Sequence, residues 1–110
     1  MKTTTNVTEF GLREMDVVNI KKTLANFQEI EKAIIYGSRA KGNYKTASDI
    51  DLTLVGEKLN SKTLSDLECQ IDDLLLPYTF DISIITQISN SDLIAHIKRI
   101  GKVIYEKHQT

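Results

Sequence analysis

The stretch Ser48-Asp49-Ile50-Asp51-Leu52 places two carboxylates two residues apart. On a strand, Asp49 and Asp51 point to the same face, roughly 6 to 7 Å apart along the backbone. Upstream lies Gly37-Ser38-Arg39-Ala40-Lys41-Gly42, whose Gly-Ser turn is of the kind that lets backbone amides approach a phosphate. Ser38 adds a hydroxyl to those amides. Like charges held on one face suit a divalent cation between them. Hard carboxylate oxygens favour Mg²⁺, which keeps waters and binds through a few carboxylates plus substrate phosphates. The block therefore points to a site for metal and nucleotide.

A third carboxylate, Asp81, lies on the polar face of another apolar run, Thr79-Phe80-Asp81-Ile82-Ser83-Ile84-Ile85. If the two strands are neighbours, three carboxylates converge. Two Mg²⁺ ions about 3.5 to 4 Å apart would then serve phosphoryl or nucleotidyl transfer. Arg39 and Lys41 either help neutralise a triphosphate or belong to a solvated basic loop. The plainer alternative makes Asp49 and Asp51 solvent-facing strand residues, but Asp is disfavoured in strands, and two in alternation need a reason. Gly37 to Gly42 has the glycine spacing of a P-loop, yet the next residue is Asn43 instead of Lys. The Asp-Ile-Asp stretch lacks the third ligand and the glycine of a calcium loop. His96 and His108 have no partner at zinc-ligand spacing, which leaves them structural or solvent roles. Lys98, Arg99 and Lys102 read as a solvated helix end that complements the dipole.

The elements that must position these residues follow from periodicity. Val17, Ile20, Leu24 and Phe27 form one stripe of a helix over about 13–28. Lys32 to Tyr36 is a short apolar run with β-branched residues, a buried strand that stops at Gly37. Asp49 to Val55 alternates, with Ile50, Leu52 and Leu54 on one face and the carboxylates on the other. Ser61 to Leu76 is a second long helix, with a capping-box spacing at Ser65 and Glu68 that allows a later start, and with Pro77 ending it. Thr79 to Ile85 is the third strand. A last helix begins near Ser89 to Ser91 with Leu93, Ile97 and Ile100 as its stripe, and Gly101 suits a left-handed residue past its end. Val103 to Tyr105 is strand-like. The expected architecture is α/β (α+β): a small mixed β-sheet packed against helices.

The chain of 110 residues is expected to be a single domain, with 1–10 and 106–110 flexible. Its 41% hydrophobic and 26% charged residues are ordinary for a soluble protein. A net charge of −1 offers no global field for a nucleic-acid backbone, so nucleic acid is not expected as a direct partner. The lone Cys69 has no disulfide partner and reads as a small core or boundary residue. The polar start Met1 to Asn6 lacks the apolar run of a signal peptide, and no stretch approaches a membrane span. A cytoplasmic protein without membrane partners is expected.

With these residues in view, the chain resembles the minimal nucleotidyltransferases of the DNA polymerase β superfamily. The resemblance rests on Gly37-Ser38, a variable loop, Ser48-Asp49-Ile50-Asp51-Leu52 and a third Asp in Phe80-Asp81-Ile82, and spans most of the chain, from the first helix to Tyr105. It implies the nucleotidyltransferase fold, with Asp49, Asp51 and Asp81 as metal ligands and Asp81 also as base for the acceptor hydroxyl. Gly37 and Ser38 would hold the β- and γ-phosphates of ATP, and AMP would pass to a hydroxyl. Larger members carry domains that bind the base or the acceptor. This chain shows none, which leaves the acceptor open and implies that a partner completes the site. Stand-alone members of this size are similar to the antitoxin half of HEPN/MNT toxin–antitoxin modules, which adenylylates a tyrosine of the HEPN toxin. The competing expectations are an antitoxin that acts by binding alone, and nucleotidyl transfer to a small hydroxylated molecule such as an antibiotic.

Overall fold

The structure is a computed structural model that describes residues 8, 10–45 and 47–107. The order is α1 (Glu14–Leu24), β1 (Lys32–Tyr36), α2 (Gly37–Lys41), β2 (Ile50–Val55), α3 (Ser61–Asp73), β3 (Phe80–Ile84), α4 (Ser91–Ile100) and β4 (Lys102–Glu106), with one 3₁₀ turn between β3 and α4. The strands form one four-stranded sheet in the order β3-β2-β1-β4. β1 is antiparallel to both β2 and β4. β2 and β3 are parallel, which requires the crossover that α3 supplies.

Alternation along the strands divides the sheet into two faces. Ala33, Ile35, Ile50, Leu52, Leu54 and Ile82 join Ile20 and Leu24 of α1 and Leu67 and Ile71 of α3 in one buried cluster. The opposite face carries Tyr36, Asp51, Thr53, Asp81 and Ser83, and α4 packs against it from the β1 side. The expected mixed sheet against helices is what forms, and its polar face is the one with the carboxylates.

Several element ends differ from expectation. α1 stops at Leu24 instead of continuing to Gln28. The chain turns there, and Phe27 still packs on the core from the turn, which extends the apolar period past the helix. Asn60 caps α3, its side chain accepting the Thr63 N–H at 2.9 Å, so the helix starts at Ser61. It ends at Asp73, ahead of Pro77. Leu75 turns out at φ 54 and is 88% exposed, while Leu74 and Leu76 reach back to the core. Gly101 is extended, not left-handed. Its glycine is needed because a Cβ would meet the Ile97 carbonyl and Ile34 Cγ2. Cys69 lies on the exposed side of α3.

Order also reaches further at both ends than expected. Phe10 is buried in the core, Glu106 closes β4, and the Lys107 N–H bonds the Glu31 carbonyl at 2.9 Å. The remaining residues expected to be flexible, 1–7, 9 and 108–110 with His108, lie outside the described residues. Among the described residues no helix is long and apolar enough to cross a membrane.

Candidate active site

Sheet register brings the acidic residues together. Asp51 and Asp81 are direct partners across the parallel pair, and adjacent strands stand about 4.8 Å apart. Asp49 sits one residue ahead of β2. There the Ile50 N–H bonds the Thr79 carbonyl at 2.8 Å, and the Thr79 hydroxyl donates to Asp49 Oδ1 at 2.5 Å. Thr79 thus holds the entrance of β2 by backbone and side chain at once. Asp49 and Asp81 are exposed, whereas Asp51 is half-buried. The Asp51 carboxyl is pushed above the usual carboxylate range by burial first, then by the charges of Asp81 and Asp49. A divalent cation would relieve that repulsion.

The Gly-Ser turn arrives at the same place from β1. Tyr36 pairs with Asp51 across the antiparallel ladder, so the chain leaves β1 beside the carboxylate. Gly37 has φ +74, and a Cβ on it would collide with Asp51 Oδ2. Only glycine lets the backbone take that conformation and run so close to the carboxylate. Ser38 follows, half-buried. The turn and the Asp51 carboxylate are therefore in contact, not merely on the same side of the molecule.

His96 of α4 joins them. The Gly37 N–H donates to His96 Nε2 at 3.2 Å, which makes Nε2 an acceptor and leaves the ring proton on Nδ1. The imidazole meets the Tyr36 ring edge-on, with centroids 6.2 Å apart and planes at 79°. Tyr36 is itself buried. Burial pushes its hydroxyl pKa up; a hydrogen bond with Ser83 opposes this, and Asp51 and Asp81 add to it. Ser83 in turn donates to Thr53 Oγ1 at 3.1 Å. His96 is expected from the sequence to have only a structural or solvent role, since it lacks a partner at metal-ligand spacing. Its position between Leu93 and Ile100 in the apolar stripe of α4 was the available signal, since a polar residue there must face the sheet.

Comparison with known families agrees with this geometry. Residues 18–110 match the model described as polymerase beta, nucleotidyltransferase. The chain belongs to the polymerase β nucleotidyltransferase family. No curated protein matches it significantly. Among solved structures, a toxin–antitoxin complex with AMP-PNP superposes at a TM-score of 0.67 and 19% identity, covering 84% of this chain and 75% of that one. The tri-AMPylated Shewanella oneidensis HEPN toxin in complex with MNT antitoxin gives 0.62 and 17%, covering 86% and 72%. The MntA–HepT toxin–antitoxin gives 0.61 and 17%, covering 86% and 73%. At these identities the likeness shows a shared fold.

In this nucleotidyltransferase the two cations expected beside a triphosphate are placed differently. Arg39 is only 2% exposed. Its Nε and Nη2 donate to the Ser48 carbonyl at 3.1 and 2.9 Å, and Nη1 donates to the Phe10 carbonyl at 2.9 Å. The guanidinium carbon lies 5.4 Å from the ring centroids of both Tyr44 and Tyr78. This corrects the expected phosphate contact, because those donors hold backbone carbonyls, one of them on the residue immediately before Asp49. Lys41 is exposed at the end of α2.

Among the described residues no three His, Cys, Asp or Glu side chains stand close enough to hold a metal ion as they are. The donor set nevertheless fits Mg²⁺. Asp49, Asp51 and Asp81 offer only hard oxygens, with Asp51 and Asp81 in register on one sheet face, and such oxygens are the donors that Mg²⁺ favours. Water and phosphate oxygens are the usual remaining ligands of that ion.

Proposed function

We propose that this nucleotidyltransferase transfers AMP from ATP to a hydroxyl, with a tyrosine of a HEPN-type toxin as acceptor, and thereby acts as an antitoxin. The chemistry rests on one observation: Gly37 of the turn lies against Asp51, which is in register with Asp81. That contact would put a phosphate held by the turn next to the carboxylates. The acceptor rests on the likeness to toxin–antitoxin structures, one with AMP-PNP and one with a tri-AMPylated HEPN toxin.

Asp49, Asp51 and Asp81 would hold Mg²⁺, two ions with the triphosphate in place. Bound there, Mg²⁺ supplies a lowered pKa for the attacking hydroxyl and charge stabilisation for the departing pyrophosphate. Ser38, through its hydroxyl and amide, holds the β- and γ-phosphates, and Gly37, whose own N–H is taken by His96 Nε2, lets the turn run close enough to the carboxylates for this. Asp81, exposed beside Asp51, takes the proton of the acceptor hydroxyl. The tyrosine oxygen bonds to the α-phosphorus as the bond to the bridging oxygen of pyrophosphate breaks. Asp49, fixed by Thr79, sets the other edge of the platform. Buried Tyr36 walls the site on the β1 side.

The test is incubation of the protein with labelled ATP, Mg²⁺ and the product of the neighbouring gene. Label on a tyrosine of that product is the expected result. Label that stays off the partner while toxicity is still suppressed would establish neutralisation by binding alone. Asp49→Asn and Asp51→Asn should each abolish transfer with the fold intact, and near-normal transfer by either variant removes that residue from the site.

A further inference from the structure

We propose that His96 is a positioning residue of the phosphate-binding turn, holding the Gly37 peptide by accepting its N–H at Nε2. The inference rests on the nucleotide-transfer reading above and adds a residue of α4 to a site otherwise built from β1, α2, β2 and β3.

The physical case starts with Gly37. It has the left-handed backbone that only glycine adopts readily, and it has no side chain to anchor it. Such a peptide is held in one orientation only by what its own N–H and carbonyl touch. The acceptor of its N–H is His96. Asp51 Oδ2 lies against the same residue, so a Gly37 peptide freed from His96 can turn its donor toward that carboxylate. That would occupy an oxygen which metal binding needs. His96 therefore keeps the turn and the carboxylate apart in function while they remain in contact.

His96 is itself held by the rest of α4. The edge-on contact with Tyr36 orients the ring, and Ile97 beside it is buried. Asn90 caps the helix start, accepting the Asp92 and Leu93 N–H groups at 2.9 and 3.1 Å. The packing of α4 on the sheet is thereby converted into the orientation of a single peptide N–H.

Three variants separate the hydrogen bond from packing. His96→Phe keeps a ring against Tyr36 and removes the acceptor, His96→Ala removes both, and His96→Gln offers an amide oxygen in place of Nε2. The first readout is amide hydrogen exchange at Gly37 without nucleotide. Protection in wild type and His96→Gln, lost in His96→Phe, is the expected pattern. The second is affinity for a non-hydrolysable ATP analogue with Mg²⁺, measured by calorimetry on variants whose melting curves show them folded. Loss of one such hydrogen bond should weaken binding about three- to tenfold in His96→Phe and His96→Ala, with His96→Gln close to wild type. Unchanged Gly37 exchange and wild-type affinity in His96→Phe would overturn the role of His96 and leave the nucleotide reading standing. A wild-type protein that binds no analogue would instead overturn the nucleotide reading, and this role in it, even where Gly37 exchange follows the expected pattern.

Discussion

Gly37 is pressed against the Asp51 carboxylate so closely that no other residue fits between turn and strand. Gly37→Ala must therefore accept a left-handed backbone, which costs about 1–2 kcal/mol, and must also push the carboxylate aside. The variant is expected to melt at lower denaturant concentration and to lose nucleotide transfer beyond what the loss of fold explains. Full transfer activity in the folded fraction of Gly37→Ala would show that the contact is incidental.

The half-buried Asp51 gives a stability signature with a definite sign. Its folded pKa is raised, so the folded state holds the proton more readily than the unfolded chain. Wild-type stability then falls as pH rises from below the unfolded carboxylate pKa, about 3.9, through the folded value. An amide in place of that carboxyl does not ionise. Asp51→Asn should accordingly raise Tm at neutral pH in EDTA, and the advantage should close in acid. Mg²⁺ should raise the Tm of wild type and leave that of Asp51→Asn unmoved. A variant no more stable than wild type at neutral pH would contradict the repulsion argument.

Arg39 separates two roles that a cation near a nucleotide can have. A phosphate ligand would show in KM for ATP with little change in stability. A strut bonded to the Ser48 and Phe10 carbonyls should show in stability first. Arg39→Lys keeps the charge and loses the planar fork, and is expected to cost about 2 kcal/mol in chemical denaturation. If stability holds and KM alone rises, the strut assignment fails.

The chemistry was more legible in the sequence than its supports. Asp49 and Asp51 announce themselves because alternating carboxylates in a strand violate ordinary propensity, and the Gly-Ser pair, an ordinary turn when taken alone, gains its meaning from their company. Asp81 needed only the further assumption that its strand neighbours β2, and the register meets it. Arg39 could not be read, because a guanidinium beside a phosphate turn looks the same whether it faces solvent or the carbonyls of Phe10 and Ser48. Those carbonyls lie on segments that periodicity does not describe. Helix ends failed for a similar reason. Phe27 and Leu74 continue the apolar period beyond their helices, since a turn can deliver a side chain to the core as well as a helix can.

Thr79 tests whether the platform depends on support from outside the three aspartates. Its hydroxyl donates to Asp49 Oδ1, fixing which oxygen of that carboxylate is left to bind a cation. Groups that orient metal ligands in this way typically cost 10- to 100-fold in metal affinity or activity when removed. Thr79→Val keeps the shape and the β-branch, so strand pairing and stability should change little, because the Ile50 bond uses the Thr79 carbonyl and not its side chain. The expected outcome is a higher Mg²⁺ requirement for transfer, about tenfold or more, at unchanged Tm. Thr79→Ser, which restores the donor, should bring the requirement back toward wild type. An unchanged Mg²⁺ dependence in Thr79→Val would mean that Asp49 is oriented by its backbone alone, or that it does not hold the ion.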